Sequence, residues 1–194
     1  MKRLCLSLMF VLLLFSTRSH ATTITPFTFD QLCEKADAVV HAQCLGSRAA
    51  WDSTRGMIYT ETTLRVLDPV SGSAGAQEIV LRLPGGTVND TTLTIPDFPA
   101  FRNNDEMVIF LTGRDGSGHP WPVGMGQGIY PVFRDAAGLA KVAVQPGVNP
   151  SPLAKPTVSR ATAPETIPVH AFIQIIQKRL KQPAPPAAGP GGEK

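Results

Sequence analysis

The sequence contains no hydrophobic run long enough to cross a membrane. Its longest apolar stretch spans 12 residues, Leu4–Phe15, whereas a helix that crosses the hydrocarbon core of a bilayer needs roughly 20. A basic start, Met1–Arg3, precedes this stretch, and a small, polar segment that ends at Ala21 follows it. This three-part pattern is typical of a secretory signal peptide. We therefore expect residues 1–21 to be cleaved off before Thr22, and the mature protein to be exported to the periplasm or the medium without a transmembrane segment.

An excess of charge is also missing once the signal is set aside. The whole chain has 18 basic and 15 acidic side chains, a net charge of +3. Three of the basic residues, Lys2, Arg3 and Arg18, lie in the signal, so the two signs balance in the mature chain. A protein without surplus positive charge has little electrostatic attraction to a phosphate backbone or to anionic lipid. We therefore expect no nucleic-acid partner.

Histidine and cysteine are too few, and too far apart, to form a recognisable metal-binding motif. The residues of these two types that follow the signal are Cys33, His41, Cys44, His119 and His170. None of them has the HExxH or CxxC spacing that places several ligands around one ion. The sequence therefore predicts no metal site and no cofactor.

Motifs of nucleophilic catalysis are absent as well. The chain has no GxSxG sequence, the pattern that marks the nucleophile of many hydrolases. The glycine-rich segment Gly124–Gly128 superficially resembles a dinucleotide-binding loop, but a strand and not a helix is predicted after it. Glycines that bend or bulge a strand explain this segment better. No catalytic residue is assigned, although carboxylates that are distant in sequence could still converge in space.

Proline is concentrated at the C-terminal end, and this sets the predicted domain boundaries. Ten of the 18 prolines lie in the last fifty residues, and the final segment has too little apolar surface to form a core. We therefore predict a signal peptide (1–21), an OB-like β-barrel domain (22–145), a Pro-rich linker (146–166), a C-terminal helix (167–182) and a disordered tail (183–194).

Alternating apolar residues predict that the central domain is mainly β. Ala38, Val40, Ala42 and Cys44 would share one face of a first strand, since successive side chains of a strand point to opposite faces. The remaining strands are predicted at Met57–Leu67, Glu78–Leu83, Thr92–Ile95, Glu106–Thr112 (apolar enough to be buried on both faces), Gly128–Phe133 and Leu139–Val144. A short helix, Thr28–Ala36, precedes the strands, and an amphipathic helix follows them. This order is typical of a small antiparallel barrel or sandwich.

Cys33 and Cys44 are the two cysteines that remain after cleavage of the signal. Export to an oxidising compartment favours a disulfide between them, provided that both side chains point into the same core. Such a bridge would stabilise the fold by roughly 3 kcal/mol in the chain-entropy model. The alternative is two buried free thiols that pack as small apolar groups.

The segment Phe29–Ala42 (FDQLCEKADAVVHA), followed by Trp51, the strand Ile58–Val66 and Pro84–Gly86, resembles the opening of a group of uncharacterised bacterial exported proteins. The same order is distantly similar to the netrin-like modules of tissue inhibitors of metalloproteinases, which are OB-type barrels. The resemblance implies a small OB-like antiparallel barrel with a short N-terminal helix and a C-terminal amphipathic helix. Those inhibitors act through an N-terminal Cys-x-Cys that binds the zinc of the target. The mature chain would begin with Thr22–Thr25, so this mechanism is not implied.

An OB-like barrel also suggests where a partner would bind. Ligands of such barrels usually contact the face of the second and third strands and two neighbouring loops. Trp, Tyr and Arg are the residue types that most often dominate binding energy at interfaces. In these regions of the sequence, the candidate binding residues are Trp51, Arg55, Tyr59, Arg65, Arg82, Arg114, His119 and Trp121. For Trp51 there is an alternative, since its side chain could instead cover the open end of the barrel.

These observations favour a non-catalytic function. We expect a binding or protein-interaction module outside the cytoplasm, with another protein or an envelope component as its partner. Two alternatives remain open: a protease-inhibitor-like protein, which the netrin-like resemblance suggests, and a hydrolase whose site forms only in three dimensions.

Overall fold

The computed structural model describes residues 26–72, 75–95, 98–144 and 165–182. The predicted signal peptide, most of the predicted linker and the predicted tail lie outside these ranges. The elements are α1 (Phe29–Lys35), β1 (Ala38–Asp52), β2 (Met57–Ser71), β3 (Glu78–Pro84), β4 (Gly86–Val88), β5 (Thr91–Leu93), β6 (Glu106–Arg114), β7 (Pro120–Pro122), β8 (Ile129–Arg134), β9 (Ala140–Val144), β10 (Glu165–Pro168) and α2 (Val169–Leu180). No helix in the described part of the chain is both long and apolar enough to span a membrane.

Eight strands form one antiparallel sheet in the order β10-β9-β8-β6-β1-β2-β3, with β7 paired to β6, and β4 and β5 form a separate ribbon. The sheet curls so that β7 lies against β3, where His119 Nδ1 is 3.2 Å from the carbonyl oxygen of Val80. Strands β1, β2, β3, β7 and β6 therefore surround a common interior. The predicted mainly β fold with a helix at each end is confirmed. Between the described strands, no ladder of backbone hydrogen bonds joins the two edges of the sheet.

The sheet separates two hydrophobic clusters. The helix-side core lies under α1 and α2 and contains Phe29, Leu32, Cys33, Val39, Val108, Phe110, Tyr130, Phe172, Ile173 and Ile176, among others. The barrel-side core lies within the curled strands and contains Val40, Ala42, Cys44, Leu64, Leu81, Leu83, Met107, Ile109 and Leu111. Because neighbours along a strand point to opposite faces, Val39 and Val40 belong to different clusters.

Strand β6 is buried on both faces, as its unbroken apolar sequence predicts. Val108 and Phe110 point to the helix-side core, and Met107, Ile109 and Leu111 point to the barrel-side core. None of these five side chains is more than 2% exposed. This strand therefore joins the two clusters into one structural unit.

The two helices cover the helix-side core and contact one another. Helix α1 begins with a capping box, since the Thr28 hydroxyl accepts from the Gln31 amide and the Gln31 side chain accepts from the Thr28 amide. The aromatic ring of Phe172 in α2 lies 4.7 Å from that of Tyr130, measured between centroids. Between the helices, the guanidinium of Arg179 donates to the carboxylates of Asp30 and Glu34.

Several strands are longer than the alternation of side chains predicts. Strand β2 continues past Leu67 to Ser71 even though it contains Pro69, the partner of Val40. Register shifts between Val39 and Val40 and between His41 and Ala42 accommodate a residue without an amide hydrogen. Strands β4, β7 and β10 were not predicted at all. Residues 165 and 166, assigned to the linker, belong to β10, and α2 begins at Val169 instead of at residue 167.

The disulfide considered for Cys33 and Cys44 is not formed, since both are free thiols. The expectation that both point into one core is wrong. Cys33 packs in the helix-side core, whereas Cys44 follows Val40 and Ala42 into the barrel-side core on the other face of the sheet. Burial raises the pKa of the Cys33 thiol to about 12, so that this group is protonated at neutral pH.

The state of the cysteines predicts a specific labelling result. Because both thiols are buried and free, a thiol-specific reagent should react with neither Cys33 nor Cys44 in the native protein, and with both in urea without any reductant. Absorbance of the released chromophore measures both reactions. Failure of the unfolded, unreduced protein to react would show that the two cysteines are bridged.

The position of Phe110 predicts a large effect on stability. Its ring packs edge-on against Phe29 and beside Tyr130, with centroids 6.3 and 5.8 Å away. We expect Phe110→Ala to lower the free energy of unfolding by about 3–5 kcal/mol, as measured by urea titration. Phe133→Ala is the control, because Phe133 is 40% exposed and its truncation should cost less than about 1 kcal/mol. Equal effects would contradict the central role of Phe110.

Candidate binding site

The turn between β1 and β2 is held together by one carboxylate. Asp52 Oδ1 accepts from the backbone amides of Thr54 and Arg55, at 3.0 and 3.1 Å. The turn closes where the amide of Gly56, which has a positive φ of 64°, donates to the Asp52 carbonyl. These bonds hold the pKa of Asp52 below its usual value, with the Arg55 amide as the largest cause.

Two further hairpins use the same device. Asp115 in the β6–β7 turn and Asp135 in the β8–β9 turn each accept from the amides two and four residues later. Each turn then ends at a glycine with positive φ, Gly118 or Gly138. The preceding arginine closes both turns by donating to the carbonyl of that glycine. The repeated pattern Arg-Asp-x-x-Gly was a signal in the sequence that pattern reading missed.

Four of the eight predicted binding residues lie around the first of these turns, at the end of the β1–β2 hairpin. We call Trp51, Arg55, Tyr59 and Arg82 the hairpin-tip surface. The guanidinium carbon of Arg82 lies 3.7 Å from the centroid of the Tyr59 ring, and its Nη2 lies 3.2 Å from Asp52 Oδ2. Arg55 Nη1 reaches the same carboxylate oxygen at 3.5 Å. Asp52, which was not predicted, therefore both shapes the turn and positions the two arginines.

Exposure within the hairpin-tip surface is uneven. Trp51 is 53% exposed, so it is not a buried cover of the barrel end, and the side chain of Arg55 is 57% exposed. The side chain of Arg82 is only 23% exposed because it is held between the Tyr59 ring and Asp52. Strand alternation places Trp51 on the face opposite to Tyr59, since Trp51 pairs with Ile58. The hairpin tip therefore presents chemically different groups on its two sides.

The predicted residues of the β6–β7 loop are occupied by internal contacts. Arg114 donates to the carbonyl of Gly118, and the ring of His119 meets the backbone of β3 at Val80. The indole of Trp121 donates to Asp115 at 2.9 Å and its ring packs edge-on against Phe98, 5.7 Å away. His119 joins this loop to β3, and all three residues are poor candidates for binding a partner because their polar groups already have partners within the protein.

Arg65 is separated from the other candidates. It lies on β2 six residues after Tyr59, so it shares a face with Tyr59 but is about 20 Å away at the rise of an extended strand. Its strand partners are Gln43 and Glu78. The structure therefore does not bring Arg65 to the hairpin tip.

A polar chain on the helix side of the sheet was missed by sequence reading. His41 Nε2 lies 2.8 Å from Glu106 Oε1, and Arg134 Nη2 lies 3.0 Å from the other oxygen of that carboxylate. A histidine beside a carboxylate is one part of many hydrolytic sites. Among the described residues, however, no serine, threonine or cysteine side chain is hydrogen-bonded to His41. The described residues also contain no group of three or more metal-ligating side chains.

No known family model matches the chain, and no curated protein sequence matches it. The assignment of a function therefore depends on the geometry of the described residues alone.

The β6–β7 turn predicts a pH-dependent contribution to stability. Hydrogen bonds to the carboxylate, first from the Ser117 hydroxyl and then from the amides of His119 and Ser117 and the Trp121 indole, hold the pKa of Asp115 well below its usual range. A carboxyl whose pKa is lower in the folded state stabilises the fold above its unfolded pKa of about 3.9, and this contribution is lost as the pH falls further. We expect Asp115→Ala to lower the Tm at pH 7 by roughly 3 °C.

The variant Asp115→Asn distinguishes the contribution of the negative charge of Asp115 from that of its hydrogen-bond acceptor. Asp115→Asn retains an oxygen acceptor, so its Tm at pH 7 should fall less than that of Asp115→Ala. Because it cannot ionise, its Tm should also decline less than that of the unmodified protein between pH 5 and pH 2, as measured by circular dichroism. A parallel decline in the two proteins would show that ionised Asp115 does not support the turn.

Proposed function

We propose that the protein is an exported, non-catalytic binding module that recognises another protein or an envelope component through the hairpin-tip surface. The observation that carries this proposal is the exposure of Trp51 and Arg55 on a turn that Asp52 holds in one conformation. Side chains presented by a rigid turn lose less conformational entropy on binding than the same side chains on a mobile loop.

The shape of the hairpin supports the proposal. Strand β1 pairs with β6 only as far as Gln43, but it pairs with β2 as far as Asp52. The last nine residues of β1, Cys44–Asp52, which span about 30 Å, therefore extend beyond the end of the pairing with β6. A tip that extends from the sheet is accessible to a large partner from more than one direction.

The chemistry of the tip is also suited to protein recognition. Tryptophan, tyrosine and arginine dominate binding hot spots because they bury large surfaces while retaining polar contacts. The stacked pair of Arg82 and Tyr59 supplies a flat, pre-positioned guanidinium, and Trp51 supplies an apolar surface on the other side of the strand.

The alternatives have weaker support. The inhibitor-like function would need a metal-binding group at the mature N-terminus, and residues 22–25 contain no cysteine. The hydrolase alternative draws on the pair of His41 and Glu106, where the adjacent Arg134 contacts the carboxylate but supplies no nucleophile. The binding module explains more of the exposed residues than either alternative does.

Truncation of the hairpin tip tests the proposal. We expect Trp51→Ala and Arg55→Ala each to weaken capture of the partner from the envelope fraction by about 2 kcal/mol, or roughly 30-fold. Quantitative mass spectrometry of the captured proteins measures this change. Because both side chains are largely exposed, the Tm of each variant should stay within about 2 °C of that of the unmodified protein.

Two other exposed residues provide matched controls. Arg65→Ala removes an exposed arginine from the same strand face, and Leu139→Ala removes an exposed apolar side chain, 45% accessible, from the β8–β9 hairpin. Neither control should change capture. If Trp51→Ala lowers the Tm and leaves capture unchanged at a permissive temperature, Trp51 has a structural role and the hairpin tip is not the binding site.

A further inference from the structure

A cavity of about 250 Å³ opens on the concave side of the β1–β2 hairpin. Its walls come from β1, β2 and β3, from the β4–β5 ribbon and from the segment that leads to β6. The lining residues are Ser47, Thr60, Thr62, Leu83–Thr87, Thr92–Ile95 and Phe98–Phe101. It is therefore separate from the stacked pair of Tyr59 and Arg82, which lies on the opposite face of the same strands.

Glycine residues allow the β4–β5 ribbon to form one wall of this cavity. Gly86 has a φ of 123°, and a Cβ atom there would lie 2.4 Å from Thr60 Oγ1 and 2.9 Å from the Cβ of Ala49. Only a residue without a side chain permits this close approach. The Thr60 hydroxyl also donates to the Gly85 carbonyl at 2.7 Å, which ties the ribbon to β2. The cavity is thus a built feature of the fold and not a gap between loose loops.

The walls combine hydroxyl groups with apolar rings. Six hydroxyl-bearing residues line the cavity, Ser47, Thr60, Thr62, Thr87, Thr92 and Thr94. Some are already paired, since Ser47 Oγ lies 2.8 Å from Thr62 Oγ1 and the hydroxyls of Thr87 and Thr92 are 3.0 Å apart. A hydroxyl can donate one bond and accept two, so these groups retain capacity for a ligand. The partly buried rings of Phe98 and Phe101 supply flat apolar surfaces.

Charge and size restrict the ligand. None of the described residues that line the cavity has an ionisable side chain, so a charged ligand would lose its hydration without gaining a counter-charge from them. Sites for drug-sized molecules occupy about 300–1,000 Å³, so this volume suits a single ring with its substituents. A neutral sugar ring matches both requirements, because it has hydroxyls around its edge and an apolar C–H face.

We propose that this cavity binds one neutral sugar ring, either as a free monosaccharide or as the end of a glycan. The hydroxyls of Ser47 and the threonines hydrogen-bond to the ring substituents, and Phe98 and Phe101 pack against its apolar face. None of the residues of the hairpin-tip surface lines this cavity, so the site is distinct from the proposed site for a protein or envelope component.

Calorimetric titration with defined sugars tests the proposal. The probes are D-glucose and N-acetyl-D-glucosamine as neutral rings, a β-linked oligomer of each, and D-glucosamine and D-glucuronate as charged counterparts. We expect a Kd near 1 mM or tighter for at least one neutral monosaccharide, and binding at least tenfold weaker for its charged counterparts. Equal affinity for ring and oligomer indicates a free sugar, and tighter binding of the oligomer indicates a glycan end. Lack of binding of every neutral probe at ten times this concentration overturns the proposal, as does preference for a charged probe.

Two pairs of variants assign any binding to the cavity. Ala100→Trp adds bulk at the exposed edge of the cavity and should weaken binding more than tenfold, whereas Ala136→Trp in the β8–β9 turn should not change it. Thr94→Val removes one lining hydroxyl and should weaken binding roughly 3- to 10-fold, whereas Thr91→Val, outside the cavity, should not. An unchanged Tm in all four variants excludes unfolding. Equal effects within each pair would show that the sugar binds elsewhere and overturn the assignment.

The intrinsic fluorescence of Trp121 gives a second readout. Trp121 packs against Phe98, which lines the cavity, and Trp51 is the other tryptophan of the chain. In Trp51→Phe, sugar binding should still shift the emission, because the remaining tryptophan, Trp121, packs against Phe98. Loss of sugar binding in Trp51→Phe would show that the sugar binds at the hairpin tip, and would overturn the cavity proposal. The capture experiment tests the proposed binding of a partner at the hairpin tip separately.

Discussion

The burial of both faces of strand β6 over Met107–Leu111 is the constraint on which the rest of the structure depends. Alternate side chains of Met107–Leu111 point in opposite directions and all are apolar, so both faces of this strand must be covered by other elements. Helices α1 and α2 cover one face, and the curled strands β1, β2, β3 and β7 cover the other. The barrel-side interior is thus closed by a short strand and by His119 against β3, without a continuous ladder across the gap.

The exposed chemistry of the molecule depends on aspartate-centred turns. In each of three hairpins, an aspartate carboxylate accepts hydrogen bonds from backbone amides that have no backbone partner within the tight turn. A glycine with a positive φ ends each turn. In the β6–β7 turn, the fixed conformation places His119 and Trp121 in contacts within the protein. The β1–β2 turn instead leaves the side chains of Trp51 and Arg55 exposed. This difference in side-chain exposure distinguishes the proposed binding surface from the structural β6–β7 loop.

The sequence predicted the elements whose residues repeat with a clear period. Helix α1, with Thr28 as its cap, and the doubly buried strand β6 could be identified because local pattern and tertiary burial agree at these positions. The strand order, the division of the core into two clusters and the different clusters that contain Cys33 and Cys44 could not be identified. They depend on how the strands pair and on which face of the sheet the helices cover. Strand β10 was missed because its pairing with β9 joins segments that are distant in sequence.

Pattern reading of the binding residues succeeded only in part, for a related reason. Residue type identified Trp, Tyr and Arg side chains, but it could not show which of them the fold engages internally. The indole of Trp121 is hydrogen-bonded to Asp115, and the ring of His119 contacts the backbone of β3. Asp52 instead forms ion pairs that hold Arg55 and Arg82 at the hairpin tip. The deciding residues are therefore the aspartates, which type-based reasoning about binding hot spots does not select.

Alternation along the β1–β2 hairpin has a consequence for how two ligands could bind at once. Ser47 and Trp51 lie on the concave face with the cavity, and Tyr59 and Arg82 lie on the convex face. A partner that contacts only the convex face leaves the cavity open to a sugar. A partner that also packs on Trp51 must reach around the tip toward the concave face. Because the proposed partner contacts Trp51, the extent to which it covers the concave face decides whether it competes with a sugar.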